Sequence, residues 1–209
     1  DKIEEIDDDN KNNLIENSVE TAKKQKEGET VDDQVGDTFT LDYTKIITDI
    51  VTTSDSDTAT KILEEVDNLE TETDLKLDFL DELEDKDLDI LSAASNKNDE
   101  ILTNLVNDAV ENIKDEDDKE KLTEILKDSE GTITDKIIES GKDSEKNKAT
   151  VSEALVEVAE EDLDKVLEVL DNNEEADETI EVLKDKIENE EAVTVDDFEE
   201  VFKENVSPN

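Results

Sequence analysis

Residues 100–113 read EILTNLVNDAVENI, and their apolar side chains lie three and four positions apart. An α-helix turns once in 3.6 residues, so this spacing places the apolar side chains on one face and the polar ones on the other. The segment therefore predicts an amphipathic helix that buries one face. Its apolar positions are 101, 102, 105, 106, 109, 110 and 113.

The same spacing recurs on both sides of this segment, from residue 42 to residue 202. Residues that favour helix N-termini precede several of the apolar stripes, in TSDSDTAT before a helix from about 58, SNKNDE before one from about 98, DSEKN near 147 and TVDD at 194–197. We therefore expect an all-α protein with nine to eleven short helices. The further stripes are Ile46, Ile47, Ile50 and Val51; Ala59, Ile62, Leu63, Val66 and Leu69; Leu122, Ile125 and Leu126; Ile133, Ile137 and Ile138; Val151, Ala154, Leu155, Val158 and Ala159; Leu163, Val166, Leu167 and Leu170; Ile180, Leu183 and Ile187; and Phe198, Val201 and Phe202.

Four octets suggest an internal repeat, because each has three or four apolar residues grouped one helical turn apart and an acidic or amide exit. They are KILEEVDN (61–68), ILTNLVND (101–108), KLTEILKD (121–128) and KVLEVLDN (165–172), which start at multiples of roughly 20 residues. Two such helices make a hairpin of about 40 residues that cannot bury its apolar face alone, so we expect an irregular solenoid or a multi-helix bundle. Convergence is the alternative, since any acidic helical chain rich in Leu, Ile and Val produces similar octets.

The chain divides into three parts by pattern. Residues 1–41 are expected to form an N-terminal helix, over NNLIENSVETAKKQ (12–25), and then a short extended segment or loop. Residues 42–205 form the helical repeat-like domain, and residues 206–209 a C-terminal tail. Because the numbering begins at Asp1 rather than at a methionine, we expect a processed chain or a segment of a longer one.

The charge balance limits the possible partners. The chain has 68 acidic residues against 22 basic ones, all of them lysines, and a formal net charge of −46. Phosphate-rich partners require clustered lysine and arginine, so binding to nucleic acid or to an anionic membrane is excluded, and no apolar run is long enough to insert into a bilayer. Cations and basic proteins are attracted instead.

The composition lacks most of the residue types that enzymes commonly use for catalysis. The chain contains no histidine and no cysteine, which removes the commonest general base, the thiol nucleophile and the usual zinc ligands. Its four glycines do not form a phosphate-binding loop. Carboxylates lie close together here by crowding alone, so a pair of them carries no information, and we expect no enzymatic activity.

Calcium or magnesium is the cofactor that suits clustered carboxylates, and we expect at most weak binding. DDDNKNNLIENS (7–18) and DSDTATKILEEV (55–66) have acids at the first and third positions of an EF-hand loop, but both fail at the fifth, sixth and twelfth. The alternative is that these acids cap the helices that follow them. The candidate ligands are Asp7, Asp9, Asp55, Asp57, Asp115, Asp117 and Asp118.

Elimination and charge together lead to a functional expectation. We expect a structural protein, an acidic helical module of a microbial cell-surface or extracellular assembly that salt and divalent cations stabilise. Its partners would be copies of itself or neighbouring modules of a larger chain. The alternative is an acidic binding protein, cytoplasmic in that case, that masks a basic partner or mimics nucleic acid. The absence of cysteine is compatible with both locations.

Overall fold

The computed structural model describes residues 13, 17–21, 43–53, 56–69, 73–84, 96–128, 131–171, 176–189, 191–198 and 201–202. Within these ranges all regular secondary structure is helical and there are no strands, so the all-α prediction is confirmed. Residues 17–21 are helical, within the N-terminal helix predicted over 12–25, and Val19 is buried. The extended segment predicted within 1–41 lies outside the described residues.

The described residues from 43 onward form nine α-helices and one short 3₁₀-helix, within the number expected from the stripes. The α-helices are α1 (Tyr43–Thr53), α2 (Ser56–Asp67), α3 (Thr73–Glu84), α4 (Asn96–Asn112), α5 (Glu116–Asp128), α6 (Thr132–Ser140), α7 (Glu145–Glu161), α8 (Leu163–Asp171) and α9 (Asp177–Asn189), and the 3₁₀-helix is Val195–Phe198.

Side-chain caps explain where several of these helices begin. The Ser144 hydroxyl accepts a hydrogen bond from the backbone N–H of Asn147 at 3.1 Å, so α7 begins at residue 145. Asp162 caps α8 in the same way, because its carboxylate accepts from the N–H of Lys165 at 3.2 Å. Each cap satisfies one of the N–H groups that the first helical turn leaves without a partner.

The chain divides into two compact units, residues 1–105 and 106–209. The boundary lies inside α4 and therefore within the segment 42–205 that the pattern treats as one domain. All seven apolar positions of the stripe that defines α4 are buried, as its spacing predicts.

In the first unit, α1 packs against both α2 and α3. The stripes leave α3 unassigned, because its apolar residues begin with the alternation of Leu75, Leu77 and Phe79, a spacing typical of a strand rather than of a helix. All three are nevertheless buried. Lys76 lies among them with only 1% of its surface exposed, and its ammonium group donates to the carbonyl of Asp67, at the C-terminal end of α2, at 2.9 Å.

In the second unit, α7 is the central helix. It packs against α5, α6, α8 and the 3₁₀-helix, while α9 packs against α8 and the 3₁₀-helix. Burying a large aliphatic or aromatic side chain contributes about 1.5–3 kcal/mol, so these stripes hold the unit together. Ile187 departs from the prediction, because it lies on a stripe but is 40% exposed. The buried large side chains include Leu122, Ile125, Leu126, Ile133, Ile137, Ile138, Val151, Leu155, Val158, Val166, Leu170, Leu183, Phe198 and Val201.

Candidate interaction surfaces

A ladder of polar contacts joins α5 to α7. Each rung pairs a lysine or threonine of α5 with a glutamate of α7, and successive rungs are four residues apart along both helices. The rungs are Lys119 Nζ to Glu153 Oε2 at 3.1 Å, Thr123 Oγ1 to Glu157 Oε2 at 2.9 Å, and Lys127 Nζ to Glu161 Oε2 at 2.7 Å.

The partners of every rung are 34 residues apart in the sequence. A constant difference means that α5 and α7 run in the same direction, because antiparallel helices would give a constant sum instead. The intervening helix α6 returns the chain so that α7 can lie beside α5, and α6 itself packs against α7. Parallel helices in register also occur in α-solenoids, where helical hairpins stack. The 34-residue offset is somewhat shorter than the 40 or so residues that the octets suggest for one hairpin, and an internal repeat stays a prediction.

A groove of about 630 Å³ runs along the exposed edge of this ladder. Carboxylates outnumber ammonium groups in it by three to one, so its field favours cations. The lining residues are Glu116, Lys119, Glu120, Thr123, Glu124, Lys127, Glu157, Glu160 and Glu161.

Lys119 in this groove has a raised pKa. The hydrogen bond to Glu153, followed by the negative charges of Glu153 and Glu116, raises the pKa of Lys119 above its ordinary value of 10.5. Its ammonium group lies 3.1 Å from Glu153 and 3.5 Å from Glu116. Lys119 is therefore held in its charged form by one carboxylate of each helix.

The predicted metal ligands fall into two groups. Asp7, Asp9 and Asp55 lie outside the described residues, and Asp57 is exposed in the first turn of α2. The other three, Asp115, Asp117 and Asp118, lie close together in the sequence before and within α5.

Asp115, Asp117 and Asp118 lie at the start of α5. The Asp115 carboxylate accepts from the backbone N–H of Asp118 at 3.0 Å, which confirms the alternative that it caps the helix. Asp117 is exposed and Asp118 is buried. Across the residues that the structure describes, no three acidic side chains converge in a way that could hold a metal ion. Weak cation binding by these residues stays a prediction.

A second cavity, of about 390 Å³, lies between the start of α6 and the C-terminal half of α8. Asp135, Glu168 and Asp171 supply its charged groups, beside the apolar Leu167 and Val169. Loss of water around the carboxyl group, followed by the charge of Glu139, raises the pKa of Asp135, and Lys136 opposes this rise.

The end of the described chain is fastened to α9 by a polar cluster. The carboxylate oxygen Oδ2 of Asp197 lies 2.8 Å from the ammonium group of Lys186 and accepts from the backbone N–H and hydroxyl of Thr194 at 2.7 and 2.9 Å. Lys186 also donates to the carbonyl of Ala192 at 2.8 Å. Partial burial alone would raise the pKa of Asp197, but the hydrogen bonds from Lys186 and Thr194 and the charge of Lys186 outweigh it and lower that pKa below 3.8.

We call Val195–Phe198 together with Val201 and Phe202 the C-terminal strap. Phe198 and Val201 are fully buried, and Phe202 is 5% exposed. The ring of Phe202 lies against Gly141, just after α6, so closely that a Cβ at that position would be 2.6 Å from Phe202 Cδ1. The strap therefore closes over the junction between α6 and α7.

Sequence reasoning finds part of these surfaces. The TVDD signal at 194–197 correctly marks a helix start, because the Asp197 carboxylate accepts hydrogen bonds from both the backbone N–H and the hydroxyl of Thr194, three residues before it. The pairing of Asp197 with Lys186 and the ladder between α5 and α7 have no local signal, because in a chain with 22 lysines and 68 acids every lysine has many candidate partners.

No protein-family model matches this chain, and neither does any curated protein or solved structure. Among the described residues, no helix combines the length and the apolar character that crossing a bilayer requires.

Proposed function

We propose that this protein is a non-enzymatic structural component, an acidic helical module of a microbial cell-surface or extracellular assembly such as a filament, a layer or a large surface protein. Copies of itself or neighbouring modules of a longer chain are its partners, and salt and divalent cations stabilise the assembly. The observation that carries the proposal is the ladder of constant 34-residue offset between α5 and α7. Stacked units in parallel register are the architecture of extended repeat proteins.

The charge supports the same proposal. A net charge of −46 opposes close approach of two copies unless dissolved ions screen or bridge their carboxylates. Salt screens this repulsion and makes it short-ranged, because the Debye length is about 3 Å at 1 M ionic strength. Ca²⁺ adds a specific contribution, because it takes six to eight oxygen ligands and can bind carboxylates of two chains at once.

Sedimentation velocity tests the proposal. The chain is compared in NaCl, MgCl₂ and CaCl₂ at equal ionic strength, so that screening is the same and only bridging differs. We expect larger species in CaCl₂ at about 1 mM free Ca²⁺, within the range of weak extracellular sites. A chain that sediments as a monomer in all three salts at every protein concentration contradicts the proposal.

The groove beside the ladder favours a second candidate function, the masking of a basic partner. Its glutamates lie on two parallel helices and could receive lysine or arginine side chains of a bound helix. Calorimetry with a lysine-rich helical peptide tests this. We expect binding that persists in about 0.15 M salt, where the Debye length is about 8 Å. The double substitution Glu120→Gln with Glu124→Gln should weaken this binding. The control is Glu178→Gln with Glu181→Gln, which removes equal charge from α9; equal weakening by both pairs would indicate non-specific attraction.

A further inference from the structure

We infer that the cavity between α6 and α8 binds a primary ammonium group carried on a short aliphatic chain. The cavity holds about 390 Å³, near the lower end of the range for small-molecule sites. Both helices pack against α7, and the cavity lies between them. It shares no lining residue with the groove along the ladder, and binding there goes beyond the proposed assembly.

The apolar part of the lining distinguishes this cavity from the rest of the acidic surface. On α8, Val169 is 4% exposed and Leu167 is partly buried. On α6, Thr134 is 2% exposed. Carboxylates alone would not define a site in this chain, since they crowd every surface. An apolar wall beside them fits a ligand that has both a positive charge and methylene groups, as the side chain of lysine has.

Three carboxylates supply the negative charge. Glu168 is partly neutralised, because its Oε2 lies 3.5 Å from the ammonium group of Lys165. Asp135 and Asp171 take part in no ion pair among the described residues. Loss of water raises the pKa of the Asp135 carboxyl, and the charge of Lys136 offsets this only in part. A cation placed beside Asp135 would replace the interaction that water no longer supplies there.

A bare metal ion does not match this lining. No three acidic side chains of the described residues are placed to hold one, and a metal ion would leave the apolar wall uncovered. An alkylammonium ion matches both parts, because its N–H groups donate to carboxylates while its methylene groups cover Leu167 and Val169. Primary alkylamines carry this charge at neutral pH, as lysine does.

Amide chemical shifts of the ¹⁵N-labelled full chain test the inference. Methylamine, propylamine and pentylamine are titrated as chlorides at equal ionic strength, so that the ligands have the same charge and differ only in chain length. We expect saturable shifts at Gly131, Thr134 and Val169, with affinity rising about fourfold for each methylene group that the cavity covers. Equal affinities for the three amines, or shifts spread evenly along the acidic surface, would overturn the site, because attraction to a polyanion depends on charge alone.

A pair of leucine variants tests the apolar wall. Leu167→Ala should flatten the dependence of affinity on chain length. Leu163→Ala is the matched control, because Leu163 is also a partly buried leucine of α8 but lies outside the cavity. We expect it to leave the dependence unchanged, and an equal effect of both variants would contradict the site.

Two pairs of aspartate variants test the charge. Asp135→Asn with Asp171→Asn should weaken pentylamine binding about fivefold. Asp143→Asn with Asp164→Asn removes the same charge at exposed residues outside the cavity and should have little effect. Equal weakening by both pairs would mean that the amine binds through general attraction.

A blocked lysine, Nα-acetyl-lysine methylamide, identifies the source of the ammonium group. Its side chain carries the charge on four methylene groups, close to the chain of pentylamine. Affinity equal to that of pentylamine assigns the cavity to lysine side chains of a partner. Binding of pentylamine alone assigns it to free amines, and binding of neither overturns the inference.

Discussion

Gly141 shows how one missing methyl group decides a contact. Its backbone is in the ordinary right-handed helical region, so chain conformation does not require a glycine there, but the Phe202 ring does. We expect Gly141→Ala to lower the free energy of unfolding by about 1–3 kcal/mol, because the added carbon forces the ring out of its position. Urea unfolding followed by circular dichroism measures the change.

Gly131→Ala is the control for this substitution. Gly131 precedes α6 in an extended conformation that any residue adopts. We expect a change within about 0.5 kcal/mol there. If both variants unfolded at the same urea concentration as the original chain, the Phe202 ring would not be seated on Gly141.

Asp197 predicts a pH-dependent contribution to stability. Its pKa in the folded chain is below 3.8, so its carboxylate stabilises the fold above that value and loses this effect as the pH falls through the folded-state pKa. We expect Asp197→Asn to cost about 1 kcal/mol at neutral pH, near the upper end for pairs that water still reaches. The loss should shrink towards zero in strong acid.

Asp196→Asn is the matched control, because it removes the same charge from the neighbouring residue, which is exposed. Urea unfolding of both variants across a pH series separates the local contact from the general effect of one fewer negative charge. A cost at Asp197 that equals the cost at Asp196, or that persists unchanged in acid, would mean that Lys186 and Thr194 do not stabilise this carboxylate.

At the scale of elements, the ladder fixes the register of α5 against α7. Lys127 lies in the last turn of α5, where a positive charge also meets the negative end of the helix dipole. We expect Lys127→Glu to lower the free energy of unfolding by about 0.5–1 kcal/mol. The substitution replaces the ammonium group that lies 2.7 Å from the Glu161 carboxylate by a second negative charge. Adding Glu161→Lys should restore most of the loss and return the net charge to its original value.

Glu160→Lys is the control for the restoring substitution. It makes the same charge change one residue before Glu161 in α7. Glu160 lines the groove but forms no rung of the ladder. The free energies of unfolding of the single and double variants, from urea midpoints and slopes, give the coupling energy. Equal rescue by Glu160→Lys and Glu161→Lys would show that net charge, rather than the rung, determines the result.

The elements themselves could be predicted much further than their contacts. The spacing of the stripe at 100–113 predicts α4 and the burial of all seven apolar positions, and the serine before residue 145 predicts the cap of α7. Lys76 could not be predicted in the same way. A lysine inside an apolar alternation is expected at the surface, and the carbonyl of Asp67, supplied by another helix, helps to make its burial possible.

At the scale of the whole molecule, the excess of carboxylates over lysines affects every contact. Carboxylates exceed lysines threefold, so most exposed acids have no lysine available, and their mutual repulsion opposes the compact state. The hydrophobic stripes offset this repulsion in the described units, and the ladder and the Lys186–Asp197 pair reduce it locally. Stability should therefore depend on ionic strength far more than it does in proteins of balanced charge.

We expect the urea midpoint to rise steadily as NaCl increases from about 0.01 M to about 1 M, over which the Debye length falls from about 30 Å to about 3 Å. A variant with Glu178→Lys, Glu181→Lys and Asp185→Lys, all exposed on α9, should start from a higher midpoint and rise less, because each substitution removes one repelling charge and adds an attracting one. Circular dichroism at each salt concentration gives both slopes. Identical slopes would mean that repulsion between carboxylates does not limit the stability of this fold. Salt would then act through the apolar interior, because excluded ions strengthen the burial of apolar groups whatever the surface charge.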